Sequence, residues 1–243
     1  MINIKNYLPA DMHVIEPGSG SPQGRFVPEI VSEYGHISGF LKVLIFIFPH
    51  IIKTLVNIRK SYKSIKTNPG PSKTTITMQA LKEFEDFAKK LGCSQVAYTK
   101  VPREYIFNNK VILFDNAIVL TMDMKKSCME KAPSVRTSKE VWRAYAGLGK
   151  IVNQLSGDLR KRGFQAQAGP ALGGETNYPY LAQKAGLGYI GKHGLLISEG
   201  DGPRQRIAVV YTNIENLPFT DSDEYSWIPD FCETCNRCVR TCP

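Results

Sequence analysis

Apolar residues recur along this chain in two periods, and the changes between them mark out its elements. From Met78 to Leu91 the apolar positions Leu81, Phe84, Phe87, Ala88 and Leu91 fall three or four residues apart. That spacing predicts a helix, with Gly92 as its C-terminal cap. Ser94–Val101 and Ala117–Met122 read as strands, and the unbroken apolar character of the second predicts a central place in a sheet. The clearest helix opens within Val135–Ser138 and shows Val141, Tyr145, Leu148, Val152, Leu155 and Leu159 on one face. Thr137 and Glu140 fit a capping box at its start, and Gly163 closes it. Phe164–Ala168 predicts a short strand and Asn177–Ala185 a short helix. Leu195–Ser198 and Arg206–Ile214 read as further strands. This mixture implies an α/β (α+β) fold.

The N-terminal part follows another pattern. Pro9, Pro17, Gly18, Gly20, Pro22 and Pro28 interrupt residues 1–38, which read as an irregular arm with a helical turn around Glu29–Tyr34. From Phe40 to Ile58 the chain is rich in apolar residues, almost without a break between Val43 and Ile52. It then narrows to a stripe through Leu55, Val56, Ile58, Tyr62 and Ile65. Lys42, Pro49 and Lys53 argue against a membrane span. Two readings stand: a buried or dimer-forming helix kinked near Pro49, or an interfacial helix whose basic tail meets anionic lipid. Burial or subunit contact is the commoner fate of such a helix in a globular chain. Thr67–Ser72, with two prolines around a glycine, reads as a linker.

The 243 residues are 42% hydrophobic and 22% charged, an ordinary globular composition. The net charge of +9 is unevenly placed. Between Tyr34 and Lys82 there is no acidic residue, whereas Lys42, Lys53, Arg59, Lys60, Lys63, Lys66, Lys73 and Lys82 are basic. Such a block predicts one surface that meets something anionic rather than a wholly basic nucleic-acid binder, so no nucleic-acid partner is expected. Membrane-surface contact or a homodimer through residues 40–66 is the corresponding expectation. No twin-arginine signal, signal peptide or eighteen-residue uncharged apolar stretch is read, and the cytoplasm is the expected compartment, with a peripheral membrane contact as the variant.

The chemistry concentrates at the end of the chain. Cys232, Cys235, Cys238 and Cys242, followed by Pro243, form a C-x2-C-x2-C-x3-C-P run. This is the spacing of bacterial ferredoxins, in which three thiolates wrap one [4Fe–4S] cluster and the fourth serves a second. Structural zinc sites usually separate two C-x2-C pairs by a longer stretch. A disulfide framework is at odds with a chain that shows no secretory signal. Cys93 and Cys128 read as small core hydrophobes. A second cysteine run would complete a two-cluster module, so the chain reads as cut short within it. Upstream, Gly186, Gly188 and Gly191 spell G-x-G-x-x-G, but they follow a helix instead of a strand, and the dinucleotide reading fails on that context. Two readings of the loop remain. Its backbone approaches a ligand, with Lys192 and His193 at the exit, or it is a tight connection needing positive φ.

Residues 185–197, 202–213 and 231–243, in that order, resemble the reductive dehalogenase and epoxyqueuosine reductase superfamily. The resemblance is specific over 175–243 and weaker over 78–174. It implies a nitroreductase-like sandwich core (73–220) followed by the start of a ferredoxin-like [4Fe–4S] module (221–243); residues 1–72, which the resemblance does not reach, precede them as the arm, helix and linker already read. It implies two [4Fe–4S] clusters in a complete form and base-off cobalamin, with flavin as the alternative for a core of this type. On this resemblance Gly186, Gly188, Tyr189, Gly191, Lys192 and His193 lie against the corrinoid, and no histidine ligates its cobalt. Lys192 then stands near the substrate and assists a tyrosine acid, with Tyr145 the candidate beside Tyr178 and Tyr180. Epoxyqueuosine reductases carry an Asp-x-Ala-Pro-type segment before the glycine loop. Here residues 169–176 hold only Glu175 as an acid, and the Gly202-Pro203-Arg204 and Phe231-Cys232 details resemble the dehalogenase side. The implied activity is an iron–sulfur oxidoreductase that takes electrons from a donor such as ferredoxin or flavodoxin and reduces a small organic substrate. The alternative is an electron-transfer or corrinoid-handling protein without substrate chemistry.

Overall fold

The apolar run at 117–122 lies at the centre of a four-stranded antiparallel sheet. The computed structural model describes residues 7–9, 12–18, 45–132, 134–220 and 223–241. The turn expected at 29–34, the first residues of the 40–58 segment, and Cys242 lie outside them. In chain order the described elements begin with α1 (Phe48–Lys63), α2 (Met78–Leu91), β1 (Gln95–Lys100), β2 (Asn116–Asp123) and α3 (Lys126–Met129). There follow α4 (Val135–Lys161), β3 (Ala166–Ala168), α5 (Tyr178–Lys184), β4 (Tyr189–Ile190) and β5 (Leu196–Ile197). The last are β6 (Gln205–Thr212), α6 (Ile228–Cys235) and α7 (Arg237–Arg240).

The sheet order is β1-β2-β6-β3, and β4 and β5 form a separate hairpin. Alternation along the strands explains why both faces of the sheet are covered. Ile118 and Leu120 of β2, with Ala208 and Val210 of β6, face α2 and α4, where they pack with Phe84, Leu148 and Leu155. Ala117, Val119, Val209 and Tyr211 face the opposite way, onto Leu181 and Ala182 of α5 and onto Ile106. Side chains as fully buried as Phe84 and Leu148 contribute about 1.5–3 kcal/mol each to stability.

Helices α2 and α4 form where the apolar spacing predicts them. Thr77 caps α2 by accepting from the Ala80 N–H, and Gly92 ends it at φ +105°. At α4 the cap differs from the expected pair. The Ser134 hydroxyl accepts from the Thr137 N–H, while Thr137 donates to the Cys128 carbonyl. Glu140 turns to Arg143 and to the Lys125 N–H.

The helix α1 lies along α4, and its expected apolar stripe divides: Tyr62 and Ile65 are buried with Ile58 packed beside them, whereas Leu55 and Val56 face outward. The contact with α4 is polar: Asn57 Nδ2 donates to the Ala146 carbonyl, and Asn153 Nδ2 donates to both the Asn57 carbonyl and Ser61 Oγ. Pro49 falls in the first turn of α1, just after a turn at Ile47 that interrupts the helical run, and there its missing N–H costs no helical hydrogen bond. Residues expected as linker are tied down. Asn68 Oδ1 accepts from the Ala166 N–H, the Pro69 carbonyl accepts from Gln165, and Ser72 Oγ accepts from Asn213. Cys93 and Cys128 are buried, and burial pushes the Cys93 thiol up to about 12.

Candidate functional site

Strand β3 is short, and that shortness makes a cavity. It pairs with β6 only as far as Ala168↔Val210, and the chain then turns away at Pro170 after one more bond, from the Gly169 N–H to the Val209 carbonyl. The first residues of β6 are left without a neighbour on that edge. A cavity of about 170 Å³ opens there, walled by Leu195, Leu196, Pro203 and Ile207, with Tyr145, Tyr178, Gln205 and Arg206 among its lining.

Tyr145 stands on α4 and Arg206 on β6, and they meet face to face. The guanidinium carbon lies 4.7 Å from the Tyr145 ring centroid. Trp142 packs edge-on against the same ring at 5.9 Å and holds it in place. Arg206 Nε and Gln205 Oε1 are buried and lack a hydrogen-bond partner among the described residues. An N–H of a cation turned into an apolar interior favours an anionic or carbonyl acceptor. The pair therefore offers a hydroxyl and a positive charge to whatever enters the cavity.

The three tyrosines singled out in the sequence have different surroundings. Tyr178 lines the cavity, but its hydroxyl is committed to the Pro170 carbonyl at 2.9 Å. Burial first, then the nearby Tyr211, Glu175 and Tyr62, hold that hydroxyl well above the ordinary tyrosine value. Tyr180 is exposed and tilts against Tyr105 at 5.4 Å, away from the cavity lining. Tyr145 alone combines the cavity with a cation.

The glycine-rich loop has a backbone explanation for its first two glycines. Gly186, at φ +73°, ends α5 with its N–H on the Gln183 carbonyl. A Cβ on Gly188 would collide with the Ile197 carbonyl across the β4–β5 hairpin. Tyr189 and Gly191 lie in and just after β4, and the His193 ring accepts from the Leu195 N–H at 3.1 Å. Lys192 is not in the lining of the Tyr145 cavity. Its ammonium donates to Glu233 Oε2 at 3.1 Å and to Asn236 Oδ1 at 3.0 Å. Those partners occupy the first two of the three gaps in the cysteine run, so Lys192 joins the glycine loop to that run.

Cys232 and Cys235 lie on α6 and Cys238 on α7, all half-buried. Between the helices Asn236 takes a left-handed conformation, φ +44°. Three free thiols on one short turn suit a soft metal or a cluster in donor chemistry. Among the described residues no three such donors converge on one point.

A second polar group lies beneath the sheet and has no counterpart in the motif reading. Glu175 is fully buried, accepts a 2.6 Å hydrogen bond from Tyr62, and faces Lys110 at 3.5 Å. Next to it Thr176 and Tyr211 share a hydrogen bond of 2.8 Å. Arg206 and this Glu175 group were both missed by motif reading. The alternation of β6 puts Arg206 on the α4 face with Ala208 and Val210, which is a usable signal. Nothing in the local sequence links Tyr62 to Glu175.

No protein-family model matches the chain. It is 33% identical over 129 residues to the tetrachloroethene reductive dehalogenase of Desulfitobacterium hafniense, covering 53% of this chain and 22% of that one. It is 34% identical over 96 residues to the epoxyqueuosine reductase of Francisella cf. novicida (strain Fx1), covering 40% and 24%. Its homologues are reductive dehalogenases and epoxyqueuosine reductases. The likeness is longer on the dehalogenase side. A solved reductive dehalogenase, described as suggesting a mechanism for B12-dependent dehalogenation, shares the fold with a TM-score of 0.61 at 20% identity, over 72% of this chain and 27% of that one. These relatives are enzymes, and a reductive oxidoreductase is the class they share. The chain spans about a fifth to a third of the length of the dehalogenases it matches. With an epoxyqueuosine reductase among the relatives, the expectation of no nucleic-acid partner has no support. Among the described residues no helix is long and apolar enough to cross a membrane.

Proposed function

We propose that the chain carries the substrate pocket and part of the electron entry of an iron–sulfur oxidoreductase of the reductive-dehalogenase-like type. The observation that carries this reading is the Tyr145–Arg206 pair at the wall of a small, largely apolar cavity. Replacing a carbon–halogen bond by carbon–hydrogen takes two electrons and one proton and releases halide. Tyr145 is placed to give that proton. The Arg206 charge stabilises the resulting phenolate and the departing anion. Leu196 and Ile207 keep water from the reacting centre. A cavity of this size suits a small organic substrate.

The electrons enter, on this reading, from a ferredoxin or flavodoxin in the cytoplasm through a ferredoxin-like module. Cys232, Cys235 and Cys238 would hold one [4Fe–4S] cluster, and Cys242 would serve a second. The core is read as a nitroreductase-like sandwich, with the 185–194 loop beside the main cofactor. That cofactor is proposed to be cobalamin, in keeping with the B12-dependent relative, and it would supply a strongly reducing centre; flavin is the alternative. The 170 Å³ cavity does not enclose a corrinoid. The residues in it therefore support the proton and anion roles, and no reaction step is assigned through the corrinoid. His193, whose ring already accepts a backbone N–H, is not assigned as a cobalt ligand.

Anaerobic incubation with iron, sulfide and thiol tests the cluster. Acid-labile sulfide and iron should co-purify with the chain, and Cys232→Ala or Cys235→Ala should abolish both. Stoichiometric zinc without labile sulfide would end the iron–sulfur reading. Uptake of flavin but not cobalamin would end the corrinoid one. Lys192→Ala should speed loss of iron to a chelator by up to about fivefold, since an exposed ion pair contributes about 0.2–1 kcal/mol. His193→Ala should leave that rate unchanged. Equal rates for Lys192→Ala and the parent would show that the Lys192–Glu233 link does not hold the cysteine turn.

A further inference from the structure

Ahead of the buried Tyr62, the helix α1 turns small polar side chains inward and apolar ones outward. Thr54, Asn57 and Ser61, three or four residues apart, face α4, and Thr54 and Ser61 are buried. The opposite side carries Phe48, Ile52, Leu55 and Val56, continued by Ile45 and Phe46 just before it, and all six are exposed, Val56 at 59%. Phe48, Ile52, Leu55 and Val56 fall on one stripe of a 3.6-residue period. The same stripe runs on into Arg59 and Lys63, with Lys53 and Lys60 beside it. No acidic residue occurs between Tyr34 and Lys82. Lys139 reaches the Phe46 ring from α4, 5.0 Å from its centroid. His50 lies below its ordinary value through burial and then through Lys53, Lys139 and Arg143, with only Glu140 opposing, so the surroundings of the helix are electropositive.

We propose that this outward face of α1 rests on an anionic lipid surface. Its apolar N-terminal half enters the headgroup–acyl boundary and its basic C-terminal half meets lipid phosphates. The alternative occupant, a second copy of the same face, fits less well. Two copies would bring basic helices together with no carboxylate on either α1 to pair with them. The helix lies on the bilayer and does not cross it: α1 has 16 residues, and no described helix meets the requirements of a span. This placement is independent of the catalytic reading, because α1 adds no residue to the Tyr145 cavity.

Co-sedimentation of the whole chain with vesicles tests it. Vesicles of phosphatidylcholine mixed with phosphatidylglycerol should retain the protein at low salt at least tenfold better than phosphatidylcholine alone. High salt should release it, because exposed charges are screened. Leu55→Gln/Val56→Gln and Arg59→Gln/Lys63→Gln should each weaken retention about tenfold or more. All four side chains are exposed, so circular dichroism should show both variants folded. Failure of the parent to bind anionic vesicles at low salt would overturn the proposal. So would undiminished binding by Leu55→Gln/Val56→Gln. A dimer in sedimentation equilibrium that this double substitution dissolves would assign the face to a second copy instead.

Discussion

Tyr145→Phe is expected to lower turnover by about 10²–10⁴-fold, the usual weight of a positioned general acid. The substitution removes only the hydroxyl. The ring keeps its packing against Trp142 and its face toward Arg206, so stability should hardly change. Arg206→Gln should lower kcat by about 10²–10³-fold, the effect of losing one preorganised donor to a developing anion. It should act more on kcat than on KM, because the charge it answers appears only as the bond breaks. Tyr178→Phe is the control within the same cavity. It breaks the hydrogen bond to the Pro170 carbonyl and should cost about 0.5–1.5 kcal/mol of stability with little effect on chemistry. The measurement is reductive dehalogenation of small halogenated substrates by the cofactor-loaded enzyme with a reduced dye as electron source. Full activity in Tyr145→Phe, with the loss falling on Tyr178→Phe, would move the acid to the other tyrosine.

Much of this arrangement could be read from the sequence because it rests on local periodicity. The stripe from Val141 to Leu159 sufficed for α4, and the apolar run at 117–122 for β2, since burial on one or both faces leaves a regular mark. The cap of α4 was placed three residues late. Both Ser134 and Thr137 have the right chemistry, and the Cys128 carbonyl decides between them. At α1 the stripe turns inward only at its C-terminal end, at Tyr62 and Ile65, while Leu55 and Val56 face outward. Periodicity says which residues share a side, but not which side meets the protein. Small polar residues at 54, 57 and 61 could pack closely on α4 around Gly149, and the apolar side was left outward. Arg206 went unassigned because its partner comes from a distant helix. Lys192 drew attention through its motif, yet it reaches the cysteine run, which only the folded hairpin brings near.

Glu175→Ala is expected to cost about 3 kcal/mol or more, the range for removing one partner of a buried pair. The reason lies in what converges on that carboxyl. Tyr62 brings α1 to it with a 2.6 Å hydrogen bond, and Lys110 approaches to 3.5 Å. Alanine removes the side-chain bonds and leaves the Tyr62 hydroxyl without its acceptor inside the protein, itself a penalty of about 1–3 kcal/mol. The pH dependence has a definite sign. Burial raises the Glu175 value above the ordinary 4.5, outweighing Lys110 and Tyr62, which act to lower it. The folded state then holds a proton that the unfolded state has released. The stability linked to that proton is complete below 4.5 and is lost as pH rises through the folded value. Glu175→Gln keeps an acceptor for Tyr62 and abolishes the titration. Urea unfolding of the parent should therefore show stability falling with pH over that window, against a flatter profile for Glu175→Gln. A parent profile no steeper than that of Glu175→Gln would mean that the carboxylate is held charged by Lys110. An Ala variant within about 0.5 kcal/mol of the parent, the ordinary range for a surface change, would mean that Glu175 does not fasten α1 to the sheet.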